Sequence, residues 1–253
     1  MKILVVGETC LDHYVYGSCD RVCPEAAALC FKSNGKSNSS VGMASNVMAN
    51  ILAIDSNLIV DIITNPLEQI IKRRFIDTRY NSIVFRQDID CITDKLHIKN
   101  HKFDTYDAIV ISDYNKGFIA YEDYEAIDRL RNKNALVFVD SKKKITSSIY
   151  NNVDFIKINS HEFAANIDNV KNIVSCCDLI VTKGGEGATL ISYDKIENFN
   201  TKQIEIRDVC GAGDTFLAAL VVHHLKTNNI EESIKFANIS ASKVVSKFGV
   251  CTP

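Results

Sequence analysis

Short apolar runs, each closed by a polar residue or a glycine, recur along this chain. KILVVG (2–7), NLIVDIIT (57–64), DAIVISD (107–113), ALVFVD (135–140), DFIKIN (154–159) and DLIVTKG (178–184) are too short for helices and read as buried strands. Between some of them lie helical patterns such as EDYEAIDRLRNK (122–133). From Gly42 a helix is predicted in which Ala44, Val47, Met48 and Ile51 share one face. Two helices close the chain, Gly213–Thr227 and Glu231–Phe248. HYVYGS (13–18) and ALCFKS (28–33) have strand propensity and suggest a hairpin or flap, and KSNGKSNSS (32–40) reads as a polar loop. KRRFIDTRYNSIVFRQD (72–88) alternates apolar and charged positions, which predicts two strands of an exposed sheet.

Strands alternating with helices argue for an α/β domain with a parallel sheet covered on both faces. In such sheets ligands bind beyond the carboxyl ends of the strands. Gly7, Asp113, Asp140, Asn159 and Lys183 end their runs and would gather there. No linker or repeat divides residues 1–253, so one domain is expected.

Composition narrows the picture by exclusion. A net charge of −2 gives no reason to expect nucleic acid or an anionic membrane as partner. The nine cysteines include no C-x-x-C pair, so reduced thiols in a cytoplasmic protein are expected. His223 and His224 diverge by roughly 100° on a helix, poor geometry for a shared metal. Glu8 and Asp12 interrupt the opening run, which therefore does not read as a signal peptide, and no stretch reaches the ~20 apolar residues of a membrane span.

Candidate chemistry lies in RDVCGAGDTFLAAL (207–220). Gly211, Ala212 and Gly213 leave a helix N-terminus open to close approach, and its free N–H groups favour phosphate or a developing oxyanion. Asp214 is either a dipole-matched first-turn carboxylate or a base beside that anion hole. TKGGEG (182–187) is either a β-turn or a nucleotide loop in which Lys183 meets phosphate charge. Asn159 and Glu162 of NSHE (159–162) have the spacing of a capping box, and Glu162 equally suits Mg²⁺ through water.

Three of these stretches, DVCGAGDTF, TKGGEG and NSHE, resemble in order and spacing the signatures of ribokinase-like (PfkB-type) sugar kinases. A narrower resemblance is to bacterial heptose 7-phosphate kinases, through LVVGETCLDHYVYG, RVCPEAAAL, GMASNVMANILAI, ISDYNKG and FVDSKK. It implies a ribokinase-like three-layer sandwich with a mostly parallel sheet and a β lid, with lid strands from about 13–32 and 72–87. It also implies transfer of the ATP γ-phosphoryl to the anomeric hydroxyl of D-glycero-β-D-manno-heptose 7-phosphate, for ADP-heptose and lipopolysaccharide core synthesis. Another sugar phosphate or nucleoside, or a non-catalytic binding role, are the alternatives. ATP and Mg²⁺ are the implied cofactors, with a monovalent cation such as K⁺ left open. A homodimer through the lid strands is expected.

Carried over by position, the resemblance makes Asp214 the catalytic base and Gly211, Ala212 and Gly213 the anion hole. Lys183, Gly184, Gly187, Asn159 and Asn238 would line the nucleotide, with Asn238 near the base. Asn159 and Glu162 would organise Mg²⁺. Asp12, Gly42 and Asn46 would hold sugar hydroxyls, and Arg86, Asp113 and Lys116 would serve the sugar phosphate. Lys72, Arg73, Arg74 and Arg79 on the lid are further cations that either meet the ligand or face solvent.

The chain departs from this pattern in four places. Glu8 replaces an aspartate, Met43 a glycine and Cys210 a threonine or serine. Only PLEQII (66–71) stands where relatives carry a strand–helix unit, so a deletion at one side of the sheet is expected, as is the lack of a nucleotidyltransferase domain after Pro253.

Overall fold

Alternation along the predicted strands decides the layers. Ile3, Val5, Ala108, Val110, Phe138, Phe155 and Ile180 pack to one side of a sheet, while Leu4, Val6, Ile109, Ile111, Val139, Ile156 and Leu179 pack to the other. Side chains of successive strand residues point to opposite faces, so a run apolar throughout is buried twice. A computed structural model describes the chain except residues 92, 202, 203, 205, 206, 247, 248 and 250. In chain order the elements are β1 (Lys2–Gly7), β2 (Thr9–Val22), β3 (Leu29–Met43), α1 (Ala44–Ile54), β4 (Ile59–Ile63), β5 (Ile70–Asp77), β6 (Ser82–Asp90), β7 (Ala108–Asp113), α2 (Tyr121–Leu130), β8 (Leu136–Ser141), α3 (Ser147–Tyr150), β9 (Phe155–Asn159), α4 (Ser160–Ala165), α5 (Val170–Val174), β10 (Asp178–Thr182), β11 (Ala188–Ile191), β12 (Ile196–Phe199), α6 (Ala212–Thr227) and α7 (Ile230–Val245). The predicted extension of the last helix to Phe248 falls outside the described residues.

The main sheet has the order β12-β11-β10-β9-β8-β7-β1-β4. Among the described residues it is parallel from β10 to β4, with antiparallel pairing on both sides of β11. Helices α1, α6 and α7 cover one face, while α2, α3, α5 and the segment around Phe103 and Tyr106 cover the other. This is the three-layer arrangement expected from the strand–helix alternation. β4 is an edge strand, and the chain passes from it through Pro66 directly into the lid. The Asn65 side chain secures that junction, accepting the Thr9 N–H at 2.8 Å and donating to the Thr9 and Pro66 carbonyls.

The lid is a second sheet, β3-β2-β5-β6, joined by a parallel β2–β5 pair between two antiparallel hairpins. Its strands run longer than the 13–32 and 72–87 expected. The segment 32–40 is not a loop but most of β3. It is polar because it is exposed on both sides, and its ladder to β2 supplies the order that apolar alternation does not.

Candidate active site

Helix α6 is buried from Phe216 to Val222, so core packing on one face of the sheet fixes where its front points. Gly211 is its N-cap with φ 77°, a left-handed conformation that glycine adopts without a Cβ penalty. Among the described residues the N–H groups of Gly213 and Asp214 have no protein partner. They open onto a cavity of about 920 Å³. The Ala212 N–H differs from expectation: it donates to the Val209 carbonyl at 3.3 Å, because the turn closes on itself, so this amide is already partnered.

Asp214 lines the same cavity and is 5% exposed. Its Oδ2 accepts from Asn46 Nδ2 at 2.8 Å, and its Oδ1 accepts from the Tyr114 hydroxyl at 2.8 Å. Burial pushes the carboxyl pKa up, and these two donors pull it back. Asn46 is itself oriented: Asn50 Nδ2 donates to its Oδ1 at 3.0 Å, and Thr215 Oγ1 holds Asn50 at 2.8 Å. Asn46 was expected from sequence to hold a sugar hydroxyl and here donates to Asp214; Tyr114 was not singled out.

Three lysines also line the cavity. Lys157, 3% exposed, donates to Asp140 Oδ2 at 2.6 Å, and a Cβ on Gly213 would stand 3.1 Å from its Nζ. A buried cation thus sits against the helix front, and the sequence reading missed it. Lys142 pairs with Glu162, and Lys183 lies in the glycine loop with Gly184 and Gly187, all lining the cavity except Glu162. Asn159 and Glu162 form the predicted capping box: Asn159 Oδ1 accepts the Glu162 N–H at 2.9 Å, and Glu162 Oε2 accepts the Asn159 N–H at 2.8 Å. Asn238 also lines the cavity, but its amide donates to the Phe199 carbonyl at 2.9 Å, toward β12 and not toward Asp214.

Among the described residues Asp140 Oδ1 is buried without a hydrogen-bond partner, with Lys142 Nζ 3.9 Å away at the cavity wall. This donor set fits a divalent cation that relies on water and ligand oxygens for most of its shell. Among the described residues no group of three or more His, Cys, Asp or Glu forms a closed metal site.

On the lid side, Asp12 is buried and ion-paired with Arg74, whose other nitrogen approaches Cys210 Sγ at 3.8 Å. Gly42 has no room for a side chain, since a Cβ would lie 2.2 Å from Asp12 Oδ2. Met43 packs with Cys10 and Ile70 beneath the lid and does not line the cavity. Lys72 Nζ lies 5.3 Å from the Tyr114 ring centroid.

The three residues expected on the phosphate side lie outside this cavity. Asp113 is fully buried and saturated by Tyr124, Ser141, Lys143 and the Asn115 N–H, because its side chain turns into the layer beneath the strand ends. Arg86 is exposed on outer strand β6 and paired with Asp88, and Lys116 is drawn to Asp90. None of them lines the cavity. Arg73 bonds His13 and Gln87, and Arg79 bonds Asp20 and Asp77, so neither reaches the site.

A parallel α/β sheet, a helix N-terminus beside a buried carboxylate, a lysine-lined cleft and a β lid together define a phosphoryl-transfer architecture. The chain belongs to the pfkB family of carbohydrate kinases, whose model matches residues 62–253. It is 30% identical to a curated relative called bifunctional protein HldE from Aliarcobacter butzleri, in an alignment that takes in 99% of this chain and 62% of that protein. The chain therefore spans less than two thirds of that relative's length. The alignment runs over 303 positions, so at least 50 of them have no counterpart among the 253 residues here. The fold matches a Thermotoga maritima ribokinase, with a TM-score of 0.72 at 18% identity, covering 98% of this chain and 94% of that one. It also matches a Methanocaldococcus jannaschii nucleoside kinase of the ribokinase family, with a TM-score of 0.70 at 18% identity, covering 98% and 93%.

Proposed function

We propose that this chain is an ATP-dependent cytoplasmic kinase that phosphorylates the anomeric hydroxyl of D-glycero-β-D-manno-heptose 7-phosphate, one step in ADP-heptose and lipopolysaccharide core synthesis. The observation that carries catalysis is Asp214: a buried carboxylate in the first turn of α6, beside two free amides and Lys157. The heptose assignment rests on the lid-side residues that resemble heptose kinases and on the HldE relatives. Cytoplasmic location fits nine free cysteines and the finding that, among the described residues, no helix is long and apolar enough to cross a membrane.

In this reading the nucleotide lies along Lys183, Gly184 and Gly187, with its phosphates toward Lys142 and Lys157. The acceptor hydroxyl approaches Asp214 from the lid side, near Asn46 and Asp12. Asp214 takes its proton as the oxygen attacks the γ-phosphorus and the bond to the ADP oxygen breaks. Charge on the transferring group meets the Gly213 and Asp214 amides and the Lys157 ammonium, donors already in place before reaction. Asp140 and Glu162 would hold Mg²⁺, which supplies charge neutralisation at the phosphates.

The test is ATP turnover against a panel of this heptose phosphate, hexose phosphates and nucleosides. Asp214→Asn is expected to lower kcat by at least ~10²-fold with nucleotide binding retained. An equally active variant would remove Asp214 from the mechanism, and turnover of a different acceptor would replace the substrate.

A further inference from the structure

We infer that Tyr114 is a positioning residue for the catalytic base: its hydroxyl, delivered by a loop clamped onto Glu8, orients the Asp214 carboxylate for proton transfer. The inference rests on the reading of Asp214 as base and adds a residue to it.

The clamp is built into the floor of the site. Glu8 is fully buried and accepts three backbone N–H groups from one loop: Tyr114 on Oε2 at 2.8 Å, and Lys116 and Phe118 on Oε1 at 3.0 and 3.2 Å. Asn115, inside the clamp, has φ 57°. A loop pinned at three amides through one carboxylate has little freedom to swing. Two lysines also lie near the ring, with Lys72 Nζ at 5.3 Å and Lys142 Nζ at 5.7 Å from its centroid. Tyr114 is therefore not a gate that leaves when substrate arrives. Its hydroxyl stays on Oδ1.

That bond leaves the base usable. A carboxylate offers about four lone-pair sites, and Asn46 and Tyr114 use two. They come from different elements, α1 and the loop after β7, each fixed by its own buried network. Two donors at fixed points set the carboxylate plane, so a remaining lone pair has one direction in which to meet the acceptor hydroxyl.

Other groups around Asp214 act in both senses. Asp140 on β8 opposes the carboxylate charge and Lys157 on β9 favours it. Cys10 on β2 and Lys142 after β8 also interact with it, and Lys72 on β5 lies against the Tyr114 ring. Burial, with Asp214 adding to it, holds the Tyr114 phenol well above its ordinary pKa, so it remains a donor throughout the working range. Its loss therefore removes a bond to the charged form of the base, which moves the pKa of the base upward.

The experiment measures kcat/KM against pH with ATP, Mg²⁺ and D-glycero-β-D-manno-heptose 7-phosphate. For Tyr114→Phe the acid limb is expected to move up by about one pH unit, since a hydrogen bond to a charged group is worth that much, while the acceptor KM stays within about threefold. Tyr124→Phe is the control. It deletes an equivalent buried bond, from phenol to Asp113 at 2.7 Å, away from the base, and should leave the limb where it is. If Tyr114→Phe fails to fold, site-specific 3-fluorotyrosine at 114 replaces it; a more acidic phenol is a stronger donor and should move the limb down. A limb that does not move in either variant overturns the inference. If Asp214→Asn is also inactive, the base reading survives alone; if Asp214→Asn is active, both readings fall together.

Discussion

At the scale of single residues, Met43 shows the local cost of a substitution and what sustains it. It is the N-cap of α1 with φ 59° and ψ −132°, a region open in practice only to glycine, where an L side chain costs about 1–3 kcal/mol. It persists because its side chain is 2% exposed and fills the base of the lid against Cys10 and Ile70. Alanine would keep the strain and lose the packing, whereas glycine would lose the packing and relieve the strain. Met43→Gly is therefore expected to have a higher urea midpoint than Met43→Ala, with an unfolding free energy about 1 kcal/mol larger, the reverse of the usual order. Equal midpoints, or a more stable alanine variant, would show that the backbone is not strained. Asp214 at the front of its helix was legible because it stands in a local pattern, whereas Asn46 was expected on a sugar hydroxyl and donates to Asp214 instead. Lys157 was not, since a lysine inside DFIKIN looks like an ordinary strand position until β8 places Asp140 beside it.

At the scale of elements, α6 carries a second buried liability. His224 is 6% exposed, edge-on to Phe138 and Phe155 with ring centroids 5.9 and 4.9 Å away, and its Nδ1 has no hydrogen-bond partner among the described residues. Burial lowers its pKa below the ordinary 6.5, against the pull of a backbone bond at Asn229. The folded pKa is depressed, so the unfolded chain binds more protons in the window beneath 6.5. Stability is full above that value and falls as pH drops through it, with a slope of at most about 1.4 kcal/mol per pH unit. Urea midpoints measured from pH 7 to pH 5 should show this slope, and His224→Leu should reduce it; an unchanged slope would place the acid sensitivity elsewhere. The helix itself was legible as a continuous apolar run. The lid strand β3 was not, because 32–40 lacks alternation and owes its order to pairing with β2.

At the scale of the molecule, the lid carries an aromatic cluster on the face away from Arg74. Phe75 stacks on Phe85 at 4.8 Å and meets Phe31 edge-on at 5.2 Å, and Phe85 is 52% exposed. We propose that this face pairs with a second copy. Sedimentation should find a wild-type dimer, with Phe85→Asp shifting it to monomer, and a monomeric wild type would refute the pairing. β4 at the sheet edge enters the lid through Asn65, at the junction where the sequence leads one to expect a missing strand–helix unit. The layered α/β plan, the glycine turn before α6 and the capping box at Asn159 could be read from the chain alone, because each depends on residues close along it. Only the tertiary structure decided that Arg74 takes Asp12, that Tyr114 rests on Asp214 across 100 residues, and that Asp113 is buried away from the cleft. A charge or a hydroxyl chooses its partner by distance in space, and strand order, not sequence separation, sets that distance.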